Sequence, residues 1–279
     1  IRGVNAKRRK PFLKESIRKA GSRRRSLELK NRPSECTTGK DEYQVPHSQP
    51  NLLFIMTDHQ RADSLGMVQC GMEVTPHLNH LAQESTVFTR AYSTSPLCVP
   101  ARTALATGLY PTKSGVVINR SQAESTQDSV TLHEHLHRAG YDVAHIGVAH
   151  IRLQPDLKER LPYAVWIDHT DHDEYLAAKG LQKVGGRPAY RSTIQQRQGD
   201  EYVPASYSNT RTGVWEGTLD DFKDLFFGRH AVEFLRRPRT RPFALFLYLW
   251  APHPPLIVPE PYASRFAPDR IELPPNVGK

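Results

Sequence analysis

Three short apolar runs stand out from an otherwise mixed pattern of hydrophobic and polar positions. They are Leu52–Met56, Tyr141–Ile146 and Phe243–Trp250. The first run is continuous and bounded by polar residues, the second is mostly apolar, and the third is apolar throughout. Such runs are typical of strands buried on both faces. We therefore expect central strands of a parallel sheet, the first run included.

Helical patterns separate these runs. Thr75 is a suitable N-cap ahead of Pro76, Gly140 is a natural helix stop, and apolar residues recur along one face of the last segment. The predicted helices cover residues 75–85, 101–109, 131–139 and 220–237. Strands that alternate with helices predict a doubly wound α/β fold with a mostly parallel central sheet between helices.

The remaining segments have weaker patterns. Residues 87–92 favour a strand or extended chain, and the proline-rich residues 251–279 predict little regular structure. Residues 151–219 are polar and irregular, and we expect a long excursion over the active face. Its His169 and His172 are expected at the surface, because an isolated histidine in a polar loop is most often solvated.

The net charge of +9 arises in one segment. Residues 1–50 hold 14 of the 38 Lys and Arg and 5 of the 29 Asp and Glu, so that 24 of each remain for the rest. This composition predicts a basic, disordered tail over residues 1–48 and a globular part over 49–279. The tail is read as solvated rather than as a nucleic-acid or membrane arm. It has no interleaved aromatic residues, so no nucleic-acid partner is expected.

The chain has three cysteines, and their spacing fits neither a disulfide framework nor a zinc site. No run is long and apolar enough to span a membrane, and no signal-peptide pattern is present. These features predict a cytoplasmic protein without a membrane span.

Candidate chemistry lies where the predicted strands end. Asp58, His150 and His253 follow the three runs, and the carboxyl ends of parallel strands share one edge. Cys98 stands just ahead of a predicted helix, with Arg102 one turn later, so an anion would be favoured there. Taken singly, these residues are a loop cap, ordinary polar histidines and a buried thiol. Together they suit hydrolysis of an anionic ester.

The segment Cys98-Val99-Pro100-Ala101-Arg102, followed by Thr107-Gly108, resembles the C-x-P-x-R signature of the type I, formylglycine-dependent sulfatases. Residues 140–150 resemble the second signature of that family, G-Y-x-T-x-x-x-G-K-W-H, and Pro242–Pro255 resembles its strand with a P-H-x-P ending. The resemblance implies an alkaline-phosphatase-like fold. It also implies that residues 49–279 are the N-terminal portion of the catalytic domain, with the C-terminal part missing.

The resemblance also implies roles for individual residues. Asp58 would bind a divalent metal, usually Ca²⁺. Cys98, oxidised to formylglycine by a separate formylglycine-generating enzyme, would be both metal ligand and nucleophile. Arg102 would hold the formylglycine hydroxyl, His150 would act as base, and His253 would bind the sulfate of a small sulfated substrate.

The sequence departs from the family pattern at three places. The family lysine before the active-site histidine is Val148 here, which removes a cation expected near the sulfate. Val99 replaces a small or hydroxyl residue, and no second metal-binding stretch or second lysine follows His253. Three hypotheses result: a sulfatase, an inactive or truncated relative, and a phosphodiesterase or phosphonate monoester hydrolase of the same superfamily.

Overall fold

A computed structural model describes residues 49–122, 126–181, 192–207 and 212–273 of the chain. The basic tail predicted for residues 1–48 lies outside the described residues and stays a prediction. Within the described ranges, no helix is long and apolar enough to cross a membrane.

The described chain alternates strands and helices in the order that the apolar pattern predicted, with additional short elements. The strands are β1 Leu52–Met56, β2 Val68–Gln69, β3 Met72–Glu73, β4 Asp142–Gly147, β5 Val165–Ile167, β6 Ser192–Gln198, β7 Glu201–Tyr207, β8 Thr212–Val214, β9 Phe243–Tyr248 and β10 Leu256–Val258. The α-helices are α1 Pro76–Glu84, α2 Cys98–Thr107, α3 Pro111–Ser114, α4 Leu132–Arg138, α5 His169–Ala178 and α6 Lys223–Arg236. Four 3₁₀ turns cover Ala62–Ser64, Leu157–Glu159, Leu219–Asp221 and Pro268–Arg270.

The principal sheet has four parallel strands in the order β1-β9-β4-β5. The last strand of this sheet in sequence, β9, thus lies between β1 and β4, with Phe54 opposite Phe246 and Ala144 opposite Leu245. The three predicted strands are therefore neighbours. Their carboxyl ends meet at one edge, as the doubly wound pattern predicted.

Apolar clusters cover both faces of β4 and β9. Val143 and Phe246 belong to one cluster, which includes the chain segment around Leu157. Ala144 and Leu245, one position on, belong to the other, which packs against the phenylalanines of α6. This alternation explains why β9 is apolar throughout and why Val143, Ala144 and Ile146 of β4 are apolar, since successive side chains face packed layers on opposite sides of the sheet.

The prediction that β1 is central and buried on both faces was wrong. Among the described residues it pairs only with β9, so it forms an edge of the sheet. Leu52, Leu53 and Ile55 are 38 %, 48 % and 55 % exposed, respectively. An apolar run shows that side chains suit burial, but it does not specify which neighbours bury them.

The prediction of irregular structure over residues 151–219 was also wrong. This segment contributes β5, which extends the principal sheet beside β4, and α5, which begins at a capping box formed by Asp168 and Asp171. It further contains the antiparallel β6–β7 hairpin. His172 is 2 % exposed and its Nε2 donates to the carbonyl of Asp221, so it is not a surface residue.

Two smaller predictions also need correction. Residues 87–92 form no strand. Cys98 is the first residue of α2, with Leu97 as its N-cap, rather than a residue ahead of the helix. The helix ends at Thr107, two residues before the predicted end, because Gly108 adopts φ +70° and its N–H donates to the carbonyl of Ala104.

Candidate active site

A buried ion pair links the helix that starts at Cys98 to the end of β1. Arg102 Nη2 lies 3.1 Å from Asp58 Oδ2, and the two residues are 2 % and 7 % exposed, respectively. Arg102 Nη1 also donates to the carbonyl of Val148, at 2.8 Å, and the guanidinium stands 5.2 Å from the ring centroid of Tyr248. One side chain therefore joins α2 to the ends of three neighbouring strands.

Cys98 carries an unpaired, partly exposed thiol at the start of this helix. The Val99 N–H donates to Asn119 Oδ1, and Ala101 N–H closes the first turn on the Leu97 carbonyl. The Arg102 side chain is directed towards the strand ends by its bonds, so the cation stands on the sheet side of the helix start.

The histidines after β1, β4 and β9 gather around Trp250. The rings of His253 and Trp250 lie 4.0 Å apart by their centroids, His253 and His59 lie 4.3 Å apart, and His150 meets Trp250 edge-on at 5.9 Å. The structure thus brings together His150 and His253, which the sequence placed at strand tips. Neither Trp250 nor His59 is among the site residues predicted from the sequence, although Trp250, the aromatic end of the third apolar run, was an available signal.

Burial sets the protonation of the two predicted histidines. Burial, with a smaller contribution from the Arg102 cation, lowers the pKa of His150 to about 4. Burial also lowers the pKa of His253, whose Nδ1 donates to the Pro254 carbonyl at 2.6 Å. Both rings are therefore neutral near neutral pH. His150 Nδ1 is buried without a hydrogen-bond partner, so it is free to accept a proton from a bound group.

The backbone is unusual at the same strand ends. His59 and His150 adopt φ values of +60° and +46°, in the left-handed region that non-glycine residues seldom occupy. Gly147 adopts φ +115°, and a Cβ there would stand 1.8 Å from the Tyr248 carbonyl oxygen. Such conformations are held only where surrounding structure enforces them, and they cluster at functional sites.

The described residues do not by themselves form a calcium site. Within the described ranges, no group of three or more His, Cys, Asp or Glu side chains is arranged to hold a metal ion. Asp58 Oδ2 contacts Arg102, and Oδ1 lies 3.8 Å from His59 Nε2. Ca²⁺ takes about six to eight oxygen ligands, far more than this one carboxylate supplies. The predicted role of Asp58 as a metal ligand therefore stays a prediction.

The structure also corrects the interpretation of Val148. Its side chain is 1 % exposed and packs in the cluster of Ala144, Leu245 and Phe226, on the α6 face of the sheet. Only its carbonyl reaches the site, through Arg102. A lysine with this side-chain direction would enter the core. Val148 therefore does not place an apolar side chain beside the substrate in place of the family lysine.

The fold is of the α/β class with a parallel central sheet, the alkaline-phosphatase-like architecture. The solved phosphonate monoester hydrolase of Agrobacterium radiobacter is similar in fold, with a TM-score of 0.59 and 24% identity over 81% of this chain and 45% of that one. The family model described as Sulfatase matches residues 50–273. The chain belongs to the sulfatase family, whose characterised members are sulfuric ester hydrolases.

Curated relatives agree with that assignment. An ulvan-active sulfatase of Formosa agariphila is 27% identical over 239 residues, which are 85% of this chain and 42% of the relative. The human N-acetylgalactosamine-6-sulfatase is 26% identical over 249 residues, which are 82% of this chain and 45% of the relative. The chain thus spans less than half the length of these relatives.

Proposed function

We propose that this chain supplies the nucleophile-bearing side of a site that hydrolyses a sulfate ester of a small sulfated substrate. The nucleophile would be a formylglycine made from Cys98 by a formylglycine-generating enzyme. The observation that carries the proposal is the position of Cys98 on a helix whose next turn is fixed to the strand ends through Arg102, Asp58 and Val148. Membership of the sulfatase family and the names of the relatives support a sulfated substrate.

Four residues of the chain would provide the nucleophile, the positive charge near the anion, the base and the group that binds the sulfate. A formylglycine at position 98 would supply, as its hydrate, the hydroxyl that attacks sulfur. Arg102 keeps a buried positive charge close to the start of α2, which favours an anion bound there. Neutral His150 accepts a hydroxyl proton at its unpartnered Nδ1. His253 donates Nδ1–H to Pro254, which leaves Nε2 for the sulfate group or the departing alcohol.

Mass spectrometry of the full chain, produced together with a formylglycine-generating enzyme, tests the first step. We expect the peptide that contains Cys98 to lose its thiol and gain an aldehyde. Cys70, the other described free cysteine, provides an internal control and should keep its thiol. An unmodified Cys98 under these conditions would contradict the proposal.

Parallel assays with an aryl sulfate and an aryl phosphate diester test the reaction. Faster turnover of the sulfate by the modified chain supports a sulfatase, and the Cys98→Ala variant should abolish it. Preference for the phosphate diester would favour the phosphodiesterase or phosphonate hydrolase alternative. Modified protein that turns over neither substrate would indicate an inactive or truncated relative.

A further inference from the structure

One carboxylate outside the predicted site contacts the segment that carries Trp250 and His253. Asp224 lies in the first turn of α6, and its Oδ1 accepts the Trp250 N–H at 2.6 Å. Its Oδ2 accepts the Ala251 N–H, also at 2.6 Å. Two short bonds from neighbouring amides to separate oxygens of one carboxylate are charge-assisted, and such bonds are about twice as strong as neutral ones.

These bonds complete the main-chain hydrogen bonding just after β9. The Leu249 N–H donates to the Met56 carbonyl of β1, and the His253 N–H donates to the Trp250 carbonyl within the turn. Pro252 has no N–H. Of the amide groups from Leu249 to His253, those of Trp250 and Ala251 therefore depend on Asp224. The carboxylate takes the place that a neighbouring strand would occupy if β9 continued.

The position of the His253 ring follows from this turn. The ring lies between His59 and Trp250, and its Nδ1 donates to the carbonyl of the next residue, Pro254. Neither neighbouring ring provides a hydrogen bond that would fix it in the described structure. The ring orientation is therefore set by the backbone of the turn, which Asp224 holds through two main-chain amides, and by the tilted contact of the ring with Trp250.

We propose that Asp224 is a positioning residue, which fixes the Trp250–His253 turn so that His253 Nε2 is available to an anionic group. It acts through the main chain and does not touch the substrate. A first-turn acid also stabilises its own helix through the helix dipole. That simpler role would change the stability of the protein without changing the state of the His253 ring, so the two roles can be separated.

The test uses the full chain labelled with ¹⁵N in its histidine rings, at a fixed neutral pH. The His253 signals are assigned by their loss in the His253→Gln variant. We expect the unmodified chain to hold His253 as the Nδ1–H tautomer. The asparagine of Asp224→Asn keeps one oxygen, which can accept one of the two main-chain N–H groups. Its NH₂ group is a donor and cannot accept the other. The substitution should therefore shift the His253 signals towards a mixture of tautomers.

Asp220→Asn is the matched control, because it removes an exposed carboxylate four residues earlier that has no described contact with the turn. This variant should leave the His253 signals unchanged. If Asp224→Asn lowers the thermal midpoint but leaves the His253 signals in place, Asp224 only stabilises its helix and the proposal is wrong.

Amide hydrogen exchange in the unmodified chain provides a second test, which does not require the variant to fold. In the unmodified chain the Trp250 and Ala251 amides should be protected. Loss of one charge-assisted bond in Asp224→Asn should speed their exchange by roughly 10-fold. Unprotected amides in the unmodified chain would overturn the proposal. Only the identity of the anionic group at His253 Nε2 rests on the proposed function. Neither readout requires turnover, so an inactive enzyme would not contradict the proposal.

Discussion

The Arg102 guanidinium and the Asp58 carboxylate are both almost inaccessible to water. A buried pair gives little net stability by itself, because removal of both charges from water opposes their attraction. Removal of one partner is different, since the remaining charge is left in the interior without compensation. The ion pair therefore favours contact between α2 and the strand ends, because separation of these elements would leave both charges unpaired.

Replacement of Arg102 by methionine should accordingly be costly. We expect the free energy of unfolding, measured by urea denaturation, to fall by about 3–5 kcal/mol, because Asp58 is left as an unpaired buried charge. Arg61→Met is the matched control, since Arg61 pairs with Asp63 on the surface, where both side chains are more than half exposed. Equal losses in the two variants would show that the Arg102 pair is not isolated from water.

His133 and His145 present the opposite case of polar groups buried without partners. Both are fully buried, none of their ring nitrogens is hydrogen-bonded, and the rings stack on Phe246 and Trp166, respectively. Burial lowers the pKa of His133 to about 3 and holds the pKa of His145 well below its usual value. The folded chain therefore keeps both rings neutral in mildly acidic solution.

This burial predicts the acid sensitivity of the fold. An unfolded His133 takes up a proton near pH 6.5, whereas the folded one does so only near pH 3. In that window the unfolded state binds more protons, so stability falls as the pH falls. The slope is at most about 1.4 kcal/mol per pH unit for this one group. Urea denaturation across the window should show the effect.

A pair of leucine variants checks the origin of that slope. His133→Leu removes the titrating ring and should flatten the dependence of the unfolding free energy on pH. His80→Leu, at an exposed position on α1, should leave it unchanged. If the two variants have the same slope, the acid sensitivity does not come from the buried ring.

At the scale of elements, the apolar runs and helix signals predicted β4, β9, α1, α4 and α6 well. The predicted strands β4 and β9 are packed on both faces, and α4 ends beside Gly140, the stop that the sequence indicated. The three-residue β5 could not be found in this way. Its three apolar residues are too short a run to indicate a strand, and β5 forms because β4 offers a neighbouring edge, which is a property of the assembled sheet.

The same limit applied to the site. Strand-end reasoning placed Asp58, His150 and His253 at one edge, and the strand order brings those ends together. It could not give the direction of a single side chain, as Val148 shows. Nor could it find Asp224, which follows a helix start and reaches the turn only because α6 packs beside β9.

A lysine at position 148 tests this view of side-chain direction. We expect Val148→Lys to lower the unfolding free energy by about 3 kcal/mol or more, because it forces a charge into an apolar cluster. It should not increase turnover of an aryl sulfate. Val117→Lys, at a valine that is 48 % exposed, is the control and should have little effect. A gain in turnover would mean that the lysine reaches the site.

At the scale of the whole molecule, the principal sheet is covered on both faces over β4 and β9, whereas its margin at β1 is open and apolar. β1 pairs with β9 on one side, and within the described residues nothing pairs with its other side. Next to it, a groove of about 420 Å³ is lined by Leu78, Leu81 and Phe88, together with the chain that follows β1. Exposed apolar side chains therefore continue from the strand across α1.

This open margin should make the chain associate with itself. We expect Ile55→Lys, which places a charge on a side chain that is 55 % exposed, to reduce self-association at high concentration. Analytical ultracentrifugation over a concentration series measures the effect, and Glu73→Lys, on the exposed part of the small β2–β3 hairpin, is the control. Equal association by both variants would exclude β1 as the contact.

The margin has a further consequence for how the chain reaches its native state. On the side of β1 that has no pairing partner among the described residues, the N–H and C=O groups can pair with an extended segment of another molecule that has not finished folding. Refolding yield should therefore depend on the competition between two reactions. One is intramolecular pairing of β1 with β9, which brings together residues nearly two hundred positions apart. The other is intermolecular pairing of β1 with a second chain. The same strand that positions Asp58 at the site should thus lower the refolding yield as the protein concentration rises.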